Sequence, residues 1–91
     1  MLRITGDRGS GKTTALVAVF KADPRGLLVF PNYAVRDYAF RKWPELRALD
    51  TAIATNVDIV IAGRDFNLYV DEIGMAGLSS EALRRMVAYS G

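Results

Sequence analysis

Cysteine and histidine are both missing from this 91-residue sequence. Without cysteine there is no disulfide, no thiolate nucleophile and none of the usual zinc sites. Without histidine the commonest general base near pH 7 is gone, so any catalysis there has to rest on a carboxylate. The lack of cysteine also fits a reducing compartment. No apolar run approaches the ~18 residues of a membrane span. Met1-Leu2-Arg3-Ile4-Thr5 leads straight into a glycine-rich segment, so no signal peptide is expected ahead of the domain and a cytoplasmic location is. Charge of one sign is also scarce. Twelve basic residues face ten acidic ones, a net charge of +2, too little to argue nucleic-acid binding alone. Nine of the twelve are arginine, which suits phosphate contacts but reads no sequence.

What is present is a globular composition. Hydrophobic residues make up 51% of the chain, so a packed core is expected rather than disorder. The length allows one small domain spanning residues 1–91. Its core is minimal, and its stability is expected to draw on a ligand or a partner.

Residues 6 to 13 read Gly-Asp-Arg-Gly-Ser-Gly-Lys-Thr, a full match to the phosphate-loop pattern G-x-x-x-x-G-K-[ST]. A short apolar run precedes it and a helix-like run from Thr13 to Lys21 follows, the strand–loop–helix order the mechanism requires. Gly6, Gly9 and Gly11 let backbone N–H groups close on a phosphate with no side chain between them. The helix beginning near Gly11 adds its unpaired N–H groups and positive end. Lys12 is placed to bridge the β- and γ-phosphates, and Thr13 offers a hydroxyl to Mg²⁺. Thr14 is within reach of the α-phosphate. Asp7, Arg8 and Ser10 belong to the same cradle. The side chains of Asp7 and Arg8 face a base, a partner or solvent.

Further along, a first helix is expected to about Ala22, with Leu16, Val19 and Phe20 as its apolar stripe. Asp23-Pro24-Arg25-Gly26 stops it. Leu27-Leu28-Val29-Phe30 reads as a strand buried on both faces. A second helix over Val35 to Lys42 starts near Asn32 or Tyr33 and places Val35, Tyr38, Ala39 and Lys42 on one face. Trp43-Pro44 breaks it, and Trp43 reads as core packing rather than a stacking platform. Glu45 to Ala54 suggests one or two helical turns. Asp58-Ile59-Val60-Ile61-Ala62 reads as another buried strand, Asn67 to Asp71 as the last one, and Glu81 to Tyr89 as a final helix capped by Ser79 or Ser80. The expected fold class is α/β, a minimal three-layer, mostly parallel sheet of about four strands and four helices. Its ligand belongs at the carboxyl ends of the strands.

Leu68-Tyr69-Val70-Asp71-Glu72 is a strand ending in two acids. Alone it is an ordinary strand edge. Beside a phosphate loop, Asp71 is a candidate Mg²⁺ ligand and Glu72 a candidate catalytic base that polarises an attacking water. Lys12 completes the candidate catalytic set.

The two motifs, Gly6 to Thr13 and Leu68 to Glu72, resemble Walker A and Walker B with its extra glutamate. Together they are similar to the P-loop NTPases of the additional-strand, catalytic-glutamate division, which includes helicases, packaging motors and AAA+ ATPases. A second resemblance is to small phage ATPases of the zonula-occludens-toxin-like assembly group. These resemblances imply ATP and Mg²⁺ as cofactors, and hydrolysis coupled to nucleic acid or viral assembly in a bacterium or infected host cell. They also imply a homo-oligomer or partner that completes the site. Val29 to Tyr33 resembles a segment that touches single-stranded nucleic acid in helicase-like domains, which points to Asn32, Tyr33 and Arg36; the alternative is a helix cap and a core aromatic. Such domains continue past Walker B into a strand bearing a polar sensor. With Glu81 to Tyr89 read as helix, that strand is absent, and Arg84 or Arg85 is either an arginine acting on a neighbouring subunit or a solvated helix face. Two functions remain open. One is an Mg²⁺-dependent ATPase; the other is a nucleotide-binding interaction module with little or no turnover. A small kinase is a third reading, without a visible acceptor site or lid. GTP stays open too, although the Asn-Lys-x-Asp base-reading motif is absent.

Overall fold

The structure, a computed structural model, describes residues 1–5 and 11–91. Leu27 to Phe30 have no polar side chain to offer solvent, and with Gly26 they form the fully buried strand β2 (Gly26–Phe30). Around it run β1 (Leu2–Ile4), β3 (Thr51–Ile53), β4 (Asn67–Val70) and β5 (Met86–Ser90). Among the described residues these five strands form one sheet in the order β1-β5-β4-β2-β3. Every pairing is parallel: Leu28 lies opposite Tyr69, Tyr69 opposite Ala88, Arg3 opposite Tyr89, and Val29 opposite Ala52. Parallel neighbours require crossovers, and helices supply them.

Successive strand residues point to opposite faces, and the core divides accordingly. Leu28, Phe30, Tyr69 and Ala88 pack on one face against Leu16, Val17 and Phe20 of α1 (Lys12–Lys21) and Ala39 of α2 (Tyr33–Lys42). Leu27, Val29, Leu68, Val70 and Met86 pack on the other face. There they meet Val57 and Ile61 of α3 (Val57–Ile61), Ala76 of α4 (Ile73–Ala76) and Ala82 of α5 (Ser80–Arg85). The result is three layers, as expected. No helix among the described residues is long and apolar enough to cross a membrane.

Capping residues set the helix starts. Asn32 Oδ1 accepts from the Val35 N–H at 3.0 Å, and Ser79 Oγ accepts from the Ala82 N–H at 3.2 Å. Each satisfies a donor that the first helical turn leaves open.

Three segments differ from the sequence reading. Asp58 to Ala62 is not a strand but lies mostly in α3. Val57 and Ile61, one turn apart, face the core, whereas Ile59 is 81% exposed. A short apolar run fits either state; Gly63 at φ +71° then ends the helix. The strand next to β2 comes from Thr51–Ile53, where helix was expected, and the helical turn before it is a 3₁₀ segment over Pro44–Ala48. The last helix stops at Arg85, and Met86 to Ser90 becomes a strand. Lying between β1 and β4, it satisfies backbone groups on both neighbours that would otherwise remain open. Leu83 of α5 is exposed.

The turn after α1 is tied to the far end of β4. Asp23 accepts from Asn67 Nδ2 at 2.9 Å, from the Tyr69 hydroxyl at 2.7 Å and from the Arg25 N–H at 2.9 Å. Those bonds, the Asn67 amide first, hold the Asp23 carboxyl below its ordinary value. Burial, then the carboxylate, push the Tyr69 hydroxyl up to about 12. A depressed carboxyl stabilises the fold above its unfolded pKa near 3.8, and that increment is lost as pH falls through the lower folded value. Asp23→Ala is therefore expected to lower the melting temperature by about 5–10 °C at neutral pH. That corresponds to roughly 1–2 kcal/mol, because the site is partly solvated. The gap between variant and wild type narrows as pH falls below the ordinary carboxyl value of 3.8. Thermal melts from neutral pH into acid check it; a gap that stays constant until the wild type itself unfolds in acid would show that the carboxylate does not carry the effect.

Candidate active site

The carboxyl ends of β4 and β5 and the start of α1 meet at one edge of the sheet. Gly11, at φ +81°, turns the chain into α1, a left-handed conformation that suits glycine. Lys12, Thr13 and Thr14 form the first turn, whose N–H groups have no partner within the helix. Gly6, Asp7, Arg8, Gly9 and Ser10, the rest of the expected phosphate loop, lie outside the described residues.

Asp71 follows the last residue of β4 and is 2% exposed. Its N–H donates to the Val29 carbonyl at 2.9 Å, so it continues the sheet ladder. Its side chain is fixed from two sides. The Thr13 hydroxyl donates to Asp71 Oδ1 at 3.2 Å, and the Ser90 hydroxyl donates to the same oxygen at 2.7 Å. Ser90 Oγ also accepts the Glu72 N–H at 3.0 Å. One buried hydroxyl thus joins the two acids. Burial pushes the Asp71 carboxyl up; the bonds from Ser90 and Thr13 oppose this, the Glu72 carboxylate adds to it, and the Lys12 ammonium opposes it.

Glu72 has φ 52° and ψ 60° and is the one non-glycine residue at positive φ among those described. The left-handed conformation costs an L-residue about 1–2 kcal/mol, and such strain concentrates at functional sites. Here the Ser90 bond on one side and the bond from the Met75 N–H to the Glu72 carbonyl, 2.9 Å, on the other hold it. Its carboxylate lies 3.8 Å from Lys12 Nζ.

Thr13 Oγ1 and Asp71 offer hard oxygen donors side by side, the chemistry Mg²⁺ favours, usually with water and phosphate completing the shell. Among the described residues no group of three or more carboxylates could hold a metal alone, so a metal here would share its shell with a ligand. A cavity of about 690 Å³ opens over these residues and extends to α2, within the size range of small-molecule sites.

Of the expected residues, the structure brings Lys12, Thr13, Thr14, Asp71 and Glu72 to one cavity. Arg84 and Arg85 lie elsewhere. They precede β5 at the amino edge of the sheet, opposite the site, and both pair with Glu81. Arg85 also donates to the Ile61 and Arg64 carbonyls. Asn32 is the cap of α2. The Arg36 guanidinium stacks on exposed Tyr33 at 4.6 Å and pairs with Asp37 at 2.8 Å. Trp43 is half-buried against the core, as expected, but it also lines the cavity.

Ser90 escaped the sequence reading, and with it the strand after Asp71. In the structure Met86, Ala88 and Ser90 are buried while Val87 and Tyr89 between them are less so, but the sequence Met-Val-Ala-Tyr-Ser carries no apolar–polar alternation that would have announced it. Comparison of the chain with protein-family models, curated proteins and solved structures finds no match.

Proposed function

We propose that this chain binds a nucleoside triphosphate with Mg²⁺ and hydrolyses it, as a minimal P-loop NTPase of the additional-strand, catalytic-glutamate kind. The observation that carries the reading is the hydrogen-bonded run Thr13–Asp71–Ser90–Glu72 beside Lys12. Residues expected from two separate motifs to serve one reaction stand within bonding distance of each other.

Each side chain then has a task. The N–H groups opening α1 and the Lys12 ammonium hold the β- and γ-phosphates. Thr13 and Asp71 would hold Mg²⁺, which when bound neutralises charge on the transferring phosphoryl. Ser90 fixes the Asp71 carboxylate and the Glu72 backbone together. Glu72 orients and polarises a water for attack on the γ-phosphorus. In the free protein its partner is Lys12; a triphosphate that draws Lys12 away releases the Glu72 carboxylate to face water.

ATP is favoured over GTP by the missing Asn-Lys-x-Asp motif. Coupling to single-stranded nucleic acid or to viral assembly is part of the proposal; the exposed Tyr33 ring with the half-buried Arg36 guanidinium stacked on it supports the first. The rival module without turnover drew its support from a missing strand after Asp71, and β5 removes that support. Calorimetric titration with ATP, alongside phosphate release with Mg²⁺ and after chelation, tests the proposal. Binding with Mg²⁺-dependent release is expected. Binding without release, alone or with single-stranded DNA, would favour the rival, and no binding would sink both.

A further inference from the structure

The edge of the sheet away from the candidate active site carries a second cavity, of about 360 Å³, at the amino ends of β2, β4 and β5. Three arginines line it: Arg25 ahead of β2, and Arg84 and Arg85 ahead of β5. Phe66 and Asn67, where β4 begins, lie between them, and Asp65 is the one acid of the lining among the described residues.

The guanidinium groups keep capacity for an anion. Arg84 is exposed, and its carboxylate partner is Glu81. Arg85 is half-buried and held in place, donating to Glu81 Oε1 at 2.9 Å and to the carbonyls of Ile61 and Arg64. Glu81 is thus one carboxylate divided between two cations. Arg25 is exposed, and among the described residues no carboxylate pairs with its guanidinium. Asp23, two residues earlier, already accepts from the Asn67 amide, the Tyr69 hydroxyl and the Arg25 N–H. Three guanidiniums against the carboxylates of Asp65 and Glu81 leave the cleft positive, in forks whose geometry suits phosphate.

The spacing indicates what kind of anion fits. β5, β4 and β2 are neighbours in the sheet, so the Arg84–Arg85 pair and Arg25 start two strand spacings apart, ~10 Å at ~4.8 Å each. A single phosphate does not fill that span. Stacked nucleotides, at ~3.4 Å each, set about three phosphates along it. The half-buried Phe66 between the two ends offers a base a flat apolar surface. From this we infer that Arg25, Arg84 and Arg85 form a docking cleft for the sugar-phosphate backbone of a single-stranded nucleic acid. The arginines hold phosphates and Phe66 rests against a base. No base edge is read, so binding is independent of sequence. The cleft shares no lining residue with the cavity at Lys12 and Asp71, so strand binding here requires no nucleotide.

Fluorescence anisotropy of a labelled oligodeoxythymidylate, titrated with the full chain without nucleotide or Mg²⁺ at several salt concentrations, tests the cleft. Three phosphate contacts give log K a slope of about −2 against log salt, so affinity is expected to fall about twentyfold between about 50 and 200 mM. Arg25→Gln combined with Arg84→Gln is expected to weaken binding and to flatten the slope by about 1.4, the share of two contacts. Both positions are exposed, so this variant melts as the wild type does. Arg25→Lys with Arg84→Lys keeps both charges and is expected to keep the slope. Arg36→Gln with Arg41→Gln removes the same charge from α2 and is expected to flatten the slope less. Polyglutamate at matched charge is expected not to displace the strand. Equal or greater flattening by the α2 pair moves the strand to α2 and overturns the cleft. Absence of binding, or binding without a salt slope, overturns it as well. Loss of slope in the lysine pair traces the effect to something other than charge and does the same. Displacement by polyglutamate reduces the cleft to a general anion site and overturns the assignment to nucleic acid.

Discussion

Replacing Glu72 with glutamine is expected to cut phosphate release by about 10²- to 10⁴-fold, the usual contribution of a positioned general base, without weakening ATP. The second half of that expectation comes from the free protein. Glu72 is the ion-pair partner of Lys12 at 3.8 Å, and the triphosphate has to take Lys12 from it. Glutamine carries no charge, so Lys12 is released in advance and ATP affinity is equal or higher. A variant that binds at least as well and turns over far less is the signature of a group acting on the reacting water. Equal release rates in the two proteins would remove Glu72 from the mechanism. A large loss of affinity would instead make it part of the binding site. The backbone gives a separate readout. Because Glu72 sits at φ 52°, Glu72→Gly relieves about 1–2 kcal/mol of conformational strain against about 0.4–1 kcal/mol of added chain entropy in the unfolded state. The glycine variant is therefore expected to melt a few degrees higher while losing turnover. Lower stability would place the Glu72 side chain among the groups holding the fold.

The site was more legible in the sequence than the sheet was. Gly11, Lys12 and Thr13 stand out because they complete a pattern that restricts which residue types fit at each position, and Asp71-Glu72 because two acids end an apolar strand. The first helix ends where Pro24 and Gly26 require it, and β2 lies where the apolar run put it. Asn32 and Ser79 mark helix starts through a bond to the backbone N–H three residues on, a local signal that needs no tertiary context. What stayed hidden depends on neighbours distant in the chain. Val57 to Ile61 carries four apolar residues in five, which periodicity cannot divide between helix and strand; only the exposure of Ile59 decides it. Thr51–Ile53 is three residues long, too short for a pattern, and is a strand because β2 offers it an edge. Met86 to Ser90 follows a capped helix without a breaker, so nothing local announces the change to strand. Its pairing with both β1 and β4 does so. Missing it left out Ser90, whose hydroxyl joins Asp71 and Glu72 at the candidate site.

Ser90→Ala is expected to damage stability and turnover together, and the two losses have separate causes. The hydroxyl is fully buried and makes two bonds, accepting from the Glu72 N–H and donating to Asp71 Oδ1. Alanine fits the space but leaves a backbone donor and a buried carboxylate each short of a partner. An unsatisfied buried group costs about 1–3 kcal/mol, more when charged, so a total of about 2–4 kcal/mol is expected. In a chain of this length that is a fall in melting temperature of about 10–20 °C. With one of its two hydroxyl donors gone, the buried Asp71 carboxyl shifts further toward its neutral form, which weakens it as a hard-oxygen ligand. The Glu72 backbone, strained and now held on one side only, loses its fixed direction. Release is expected to fall about 10- to 100-fold at a temperature where the variant is still folded, with more Mg²⁺ needed for half-maximal rate. Ser90→Thr keeps a hydroxyl and tests the cause: a partial return of both rate and Mg²⁺ dependence assigns the loss to the bonds. A variant that melts lower but keeps wild-type turnover and Mg²⁺ dependence would make Ser90 a structural residue alone, and the coupling of Asp71 to Glu72 would have to be carried by the backbone between them.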